Sequence, residues 1–380
     1  MKIKTSALAT AIGAAVALAS FTAQAEITVL KQNPQAGDPL SRLNFTVGGS
    51  IRPQFNNMTG DGDKGSYKRN GFDGGSRFRF AADYYLFDDI SWVSYYELGV
   101  DIPKLFDWDN HYAETAHNTT RRMLYTGLKS QTWGTLTFGQ QNSVYYDVVG
   151  AKTDIWDYDM LAQAPGNGIK GDYDGSYRSR KMLKYKKTVG DADIYASYLF
   201  SDDYLATDGN RYKRKSGGSL GLDYHLTDDL TWGAAWNYTR ADMRQPSTGD
   251  SKTYDQNILG TALSWTPDNW TFSLGGGWYQ NFMLTKKKDV HNYFAGDAWG
   301  VEYFAGYKFP IAQYAVKYIQ PYVMGDRLEF ANGRNYQRID NGVGVTVQLD
   351  YGFRVDYEHV FTSSTDNLGD MNLVRLRYDF

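Results

Sequence analysis

The chain contains no cysteine, so disulfide frameworks, thiolate metal sites, iron–sulfur clusters and cysteine nucleophiles are excluded together. Past the N-terminus it lacks any run approaching the roughly 18–20 apolar residues that a membrane-crossing helix needs, and its mean hydropathy is −0.54. A helical membrane protein is excluded. A basic excess is missing too. The net charge of −3 leaves nothing to neutralise a phosphate backbone, which removes nucleic acid as a partner. The five histidines, His111, His117, His225, His291 and His359, never approach the paired spacing of a catalytic metal helix, and neither a metal nor a cofactor is expected. No composition break or linker divides the chain into a second domain.

The first residues have a recognisable order: Lys2 and Lys4, an apolar stretch from Ala7 to Phe21, then small residues ending at Ala25. That is the pattern of a secretory signal peptide. The expected organisation is a signal peptide over 1–25 and a single domain over 26–380. Losing Lys2 and Lys4 takes the net charge from −3 to −5.

What the chain has in abundance is 31 Tyr, 19 Phe, 10 Trp and 39 Gly, which favours strands and turns over helices. Strands send successive side chains to opposite faces. In one segment Phe78, Phe80, Ala82, Tyr84 and Leu86 oppose Arg77, Arg79, Ala81 and Asp83; in another Phe353, Val355 and Tyr357 oppose Arg354, Asp356 and Glu358. At the C-terminus Val374, Leu376, Tyr378 and Phe380 oppose Arg375, Arg377 and Asp379. A soluble sandwich would turn the apolar face inward. The export signal, the tyrosine load and the repetition point instead to an outer-membrane barrel, with its apolar face to lipid and its polar face to water. Only a closed barrel carries such strands through hydrocarbon without orphaned backbone groups.

The connections alternate between short and long. Short turns are expected at 88–89, 130–132, 190–191, 227–229, 266–268, 309–311 and 349–350, and long polar loops near 56–74, 102–118, 142–176, 202–213, 241–253, 282–296, 326–336 and 362–370. Seven short and eight long connections imply sixteen strands. A barrel of that size holds an aqueous channel rather than a packed core. The fold class is therefore all-β, a transmembrane antiparallel β-barrel of about sixteen strands.

The run from Arg122 to Lys129 (RMLYTGLK), followed by Trp133 to Gln140 (WGTLTFGQ) and Val144 to Val148 (VYYDV), resembles the strand pair leading into the constriction loop of Gram-negative general diffusion porins. The closing stretch through Tyr378 to Phe380 resembles their C-terminal assembly signal. The resemblance implies a homotrimer in the outer membrane of a Gram-negative bacterium. It also implies barrel-assembly machinery, outer-membrane lipid and lipopolysaccharide as partners, and a third extracellular loop folded into the pore.

That loop spans about 142–176, the longest connection, and carries Asp147, Asp154, Asp157 and Asp159. A calcium site is a poor alternative, because the spaced glycine and terminal glutamate of an EF-hand are missing. The family's usual loop-tip motif is also missing here. Opposite the loop the resemblance implies a ladder of wall arginines: Arg79 and Arg122 by local match, Arg178 as a third rung, and Arg52, Arg77 and Arg180 by alternation and strand order. Independently of the family, an arginine facing lipid near the membrane midplane costs about 2–4 kcal/mol, so these side chains are expected inside. Carboxylates facing arginines set up a field across a narrow channel, and passive diffusion of small hydrophilic solutes and ions with weak cation preference is expected.

Two rivals remain. One is a sugar-specific channel, kept open by the loop aromatics. The other is a barrel enzyme using Ser143 with His111, His117 or His291. The basic runs at 213–215 and 286–288 are candidate contacts for lipopolysaccharide phosphates.

Overall fold

A computed structural model describes residues 26–59, 68–105, 119–158, 160–332 and 335–380. The proposed signal peptide, Asp159, His111 and His117 lie outside the described residues. Sixteen antiparallel strands close on themselves. β1 has two pieces, Leu43–Ile51 and Pro53–Thr59, and β2 also has two, Lys68–Asp73 and Arg77–Phe87. Then follow β3 (Ile90–Val100), β4 (Thr119–Ser130), β5 (Gly134–Asn142), β6 (Arg178–Val189), β7 (Ala192–Leu199) and β8 (Asn210–His225). The second half is β9 (Leu230–Arg244), β10 (Ser251–Trp265), β11 (Trp270–Gln280), β12 (Asp297–Tyr307), β13 (Val316–Phe330), β14 (Gln337–Leu349), β15 (Phe353–Ser364) and β16 (Asp370–Asp379). Each strand pairs with its sequence neighbours, and β16 pairs back onto β1 through Ser50↔Asp379 and Gln54↔Arg375. The seam is sealed by the backbone of Gly49 and Phe380, which exchange N–H···O bonds of 2.6 and 3.1 Å.

The alternation resolves as the sequence implies. Outward rows such as Leu220, Trp236, Leu259, Leu274, Trp278, Val343 and Phe361 are exposed, while inward residues such as Glu97, Asn237, Gln256, Glu302, Asp340 and Asp356 are buried. This inversion of the soluble pattern is what a lipid-facing wall requires.

Seven connections are short and eight are long. The sixth short turn differs from expectation: Phe309–Gln313 continue as strand, and the chain reverses at Tyr314 and Ala315, both with positive φ. Several long loops are also shorter than their polar composition implies, because polar residues such as Lys213 and Asp326 sit within strands rather than in loops.

Candidate functional site

The third long connection, between β5 and β6, does not project outward. Its residues Val144, Tyr145, Val148, Val149, Ala162 and Ala164 are fully buried against inward residues of β9 to β13, including Ala235, Ile258, Ala262, Tyr279, Ala298 and Leu328. Each buried valine contributes roughly 1.5–3 kcal/mol, so the loop's own greasy side holds it to the wall.

Polar contacts pin the loop at four places. Near its start, Lys152 Nζ lies 2.9 Å from Asp223 Oδ2 of β8 and donates to Thr231 Oγ1 at 3.0 Å. In mid-loop the N–H groups of Asp157 and Tyr158 donate to the Glu358 carboxylate of β15 at 2.5 and 3.1 Å. Ala162 N–H donates to Glu302 Oε1 of β12 at 3.0 Å. Near its end, the fully buried Arg214 of β8 donates to the carbonyls of Tyr173, Phe200 and Arg180 at 2.7, 3.0 and 2.5 Å. Asp174 closes the last turn by accepting from Ser176 N–H at 2.9 Å and Lys170 N–H at 3.0 Å, and burial raises its pKa.

The candidate aspartates do not stand free in a row. Asp147, at the loop's base, pairs with Lys184 of β6 at 2.6 Å. Asp154 accepts the hydroxyl of Tyr146, within its own loop. Asp157 reaches a wall arginine, Arg375 of β16.

The arginines cluster on the opposite side, from β15 through β1 to β4. Arg79 Nε lies 3.0 Å from Glu97 Oε2, and Arg122 pairs with the other oxygen of the same carboxylate. Arg77 stands beside them and donates to the Gly75 carbonyl at 2.9 Å, and Arg52 donates to Ser50 Oγ at 2.7 Å. Neither Arg79 nor Arg122 points to lipid; their side chains are 14% and 17% exposed. The two later candidates have partners of their own. The guanidinium of Arg178 lies 4.0 Å over the Tyr177 ring, while Arg180 pairs with Asp202 at 3.3 Å near the mouth.

Several residues escaped sequence reasoning. Glu97 organises the arginine cluster, and Arg354, Arg375 and Arg377 extend it, with Arg354 directly opposite Arg377 in the ladder. Their alternation placed them on the polar face, but nothing in the sequence gave their height. Arg214 and Lys286 belong to the two basic runs offered as lipopolysaccharide contacts. The first is buried, and the second pairs with Asp366 at 2.6 Å, while Lys288 pairs with Asp208 at 3.1 Å. Ser143 Oγ donates to the Ser176 carbonyl at 2.8 Å and receives Tyr146 N–H, a structural role at the loop base.

The family model described as Gram-negative porin matches residues 9–379. No curated protein matches the sequence. Among solved structures, OmpF of Salmonella typhi in complex with daunomycin is similar with a TM-score of 0.65 at 16% identity, covering 89% of this chain and 98% of that one. An anion-selective porin from Comamonas acidovorans gives 0.61 at 14% identity, covering 89% and 100%. OmpT of Vibrio cholerae in its trimer form gives 0.59 at 14% identity, covering 89% and 99%.

Proposed function

This chain belongs to the Gram-negative porin family, an outer-membrane channel rather than an enzyme, and from that membership we propose that it forms a water-filled pore for passive diffusion of small hydrophilic solutes and ions. The observation that carries the reading is the loop between β5 and β6, held against β8 to β13 and facing the arginines of β1 to β4 across the interior. A solute passing between them meets fixed charge in a confined space, where screening is weak. Export by a signal peptide over 1–25, a homotrimeric state, lipopolysaccharide contact and assembly through the C-terminal Tyr378 and Phe380 belong to the same proposal. The trimer form of the similar OmpT supports the homotrimeric state.

Ion preference is read from the pairing. The weak cation preference expected from the sequence rests on the net charge of −5 and on four loop aspartates taken as free. Asp147 and Asp157 are instead engaged by Lys184 and Arg375, whereas Glu97 is shared by Arg79 and Arg122 with Arg77 beside them, and Arg52 and Arg77 donate to neutral acceptors. We therefore assign the constriction a net positive wall and a weak anion preference.

A saccharide-selective channel is the second reading, favoured by the stacked Tyr95–Tyr125 pair at 5.3 Å on the inner face of β3 and β4. Liposome swelling with sugars of graded size tests the proposal. Uptake that falls smoothly with solute size supports general diffusion, and uptake of one sugar far above others of its size supports the second reading. Absence of swelling with any sugar contradicts both.

A further inference from the structure

The wall beneath the loop is made of small residues in ladder register. Gly221 of β8 pairs with Ala235 of β9, which pairs with Gly260 of β10, then Gly277 of β11, then Gly300 of β12. Two residues along the strands a second row runs Gly233, Ala262, Gly275. All face inward, and the loop occupies the space their side chains would fill. A Cβ at Gly300 would lie 1.9 Å from the Ala162 carbonyl oxygen, and one at Gly233 would lie 2.2 Å from that of Val148. At Gly260 it would meet Tyr145 Oη at 2.5 Å, at Gly275 Thr153 Cγ2 at 2.7 Å, and at Gly221 Val144 Cγ1 at 2.6 Å. Glycine weakens a strand interior unless another group approaches closely, so its recurrence on five adjacent strands at the level of the loop calls for such a group.

We propose that this small-residue shelf determines the pore's size cut-off, by fixing how deep the constriction loop sits against the far wall. The shelf residues are positioning residues. They touch no solute and act only through the loop. The proposal rests on the channel reading above and adds where the cut-off is encoded. The direction of the effect follows from the geometry. At Gly300 and Gly233 the obstructing atoms are loop backbone, which must retreat by about 1 Å or more to admit a methyl group. The barrel wall behind is a continuous hydrogen-bonded ladder, so the loop yields and moves toward Arg77, Arg79 and Arg122. Added volume on the shelf is subtracted from the lumen.

The test uses the full-length folded protein in planar bilayers and in swelling assays. Gly300→Ala and Gly233→Ala are expected to lower single-channel conductance and to shift sugar exclusion to smaller sizes. Gly218→Ala, on the outward side of β8 where a Cβ meets only the Ser197 carbonyl oxygen at 3.1 Å, is expected to leave both unchanged. Gly221→Ala opposes side-chain atoms of Val144 rather than backbone, so it is expected to narrow the pore and the double change with Val144→Ala to restore it, a rescue that general destabilisation would not give. If Gly300→Ala fails to fold, as judged by heat-modifiable migration, the Gly221 and Val144 pair decides. Unchanged or increased conductance in the folded shelf variants, or no rescue, overturns the proposal while leaving the channel reading intact. A wild-type protein that forms no channels overturns the channel reading itself.

Discussion

Lys152 and Asp223 join the loop between β5 and β6 to the barrel wall, with Nζ 2.9 Å from Oδ2 and side chains 9% and 14% exposed. A methionine at 152 keeps the stem's bulk but leaves the carboxylate unpaired in a largely dry place, where breaking a buried pair costs about 3–5 kcal/mol. Lys152→Met is expected to leave the strand content intact and loosen the loop. Faster proteolysis within 143–177 and greater open-channel current noise are the readouts. A variant as protease-resistant and quiet as the wild type would remove Lys152 from the latch.

The charge assignment makes a second expectation. Arg52→Gln and Arg77→Gln each remove a cation whose hydrogen bonds go to a hydroxyl or a carbonyl. The zero-current potential in a salt gradient is expected to move toward cation preference in both variants. Glu97→Gln, which strips the shared carboxylate from Arg79 and Arg122, is expected to move it the other way. Shifts of the same sign in all three would contradict the assignment.

At the short-turn end Asp89 accepts Thr132 N–H at 2.7 Å and Ser130 Oγ–H at 2.8 Å, tying two neighbouring turns together. These donors, the Thr132 N–H foremost, hold its pKa down to about 2. A carboxylate with a depressed folded pKa contributes stability above its unfolded value, and that contribution is lost as pH falls through the folded one. The tie is therefore expected to be intact at neutral pH and to be lost between about pH 4 and pH 2. Melting temperatures measured across that window should fall more steeply in the wild type than in Asp89→Asn. Parallel curves would refute the linkage.

Phe380 packs edge-on to Phe78 at 5.7 Å and stacks with Tyr378 at 5.6 Å, over a glycine at 49 whose Cβ would lie 2.6 Å from the ring. Phe380→Ala is expected to loosen the seam and to reduce the fraction of heat-modifiable, folded barrel in the membrane. Gly49→Val should do the same from the other side of the seam. Normal folded yield from either would separate the C-terminal aromatic from assembly.

Strand number and facing were legible in the sequence because a two-residue period is a strong signal and turn chemistry punctuates it. Phe78 and Arg79 show this, falling on opposite faces as read. Pairing was not legible. Asp147 and Lys184 are 37 residues apart and Asp157 and Arg375 are 218 apart, and such partners depend on strand stagger, which alternation does not carry. The shelf was invisible for the same reason: Gly221, Gly260 and Gly300 are unremarkable singly and acquire meaning only in register.

The most direct test is planar-bilayer recording from the purified full-length protein. Discrete ohmic conductance steps, with a zero-current potential of the sign that marks weak anion preference, are the expected result. A protein that inserts without conducting, or whose potential marks strong cation selectivity, would contradict the account of an open pore between a seated loop and a net positive wall.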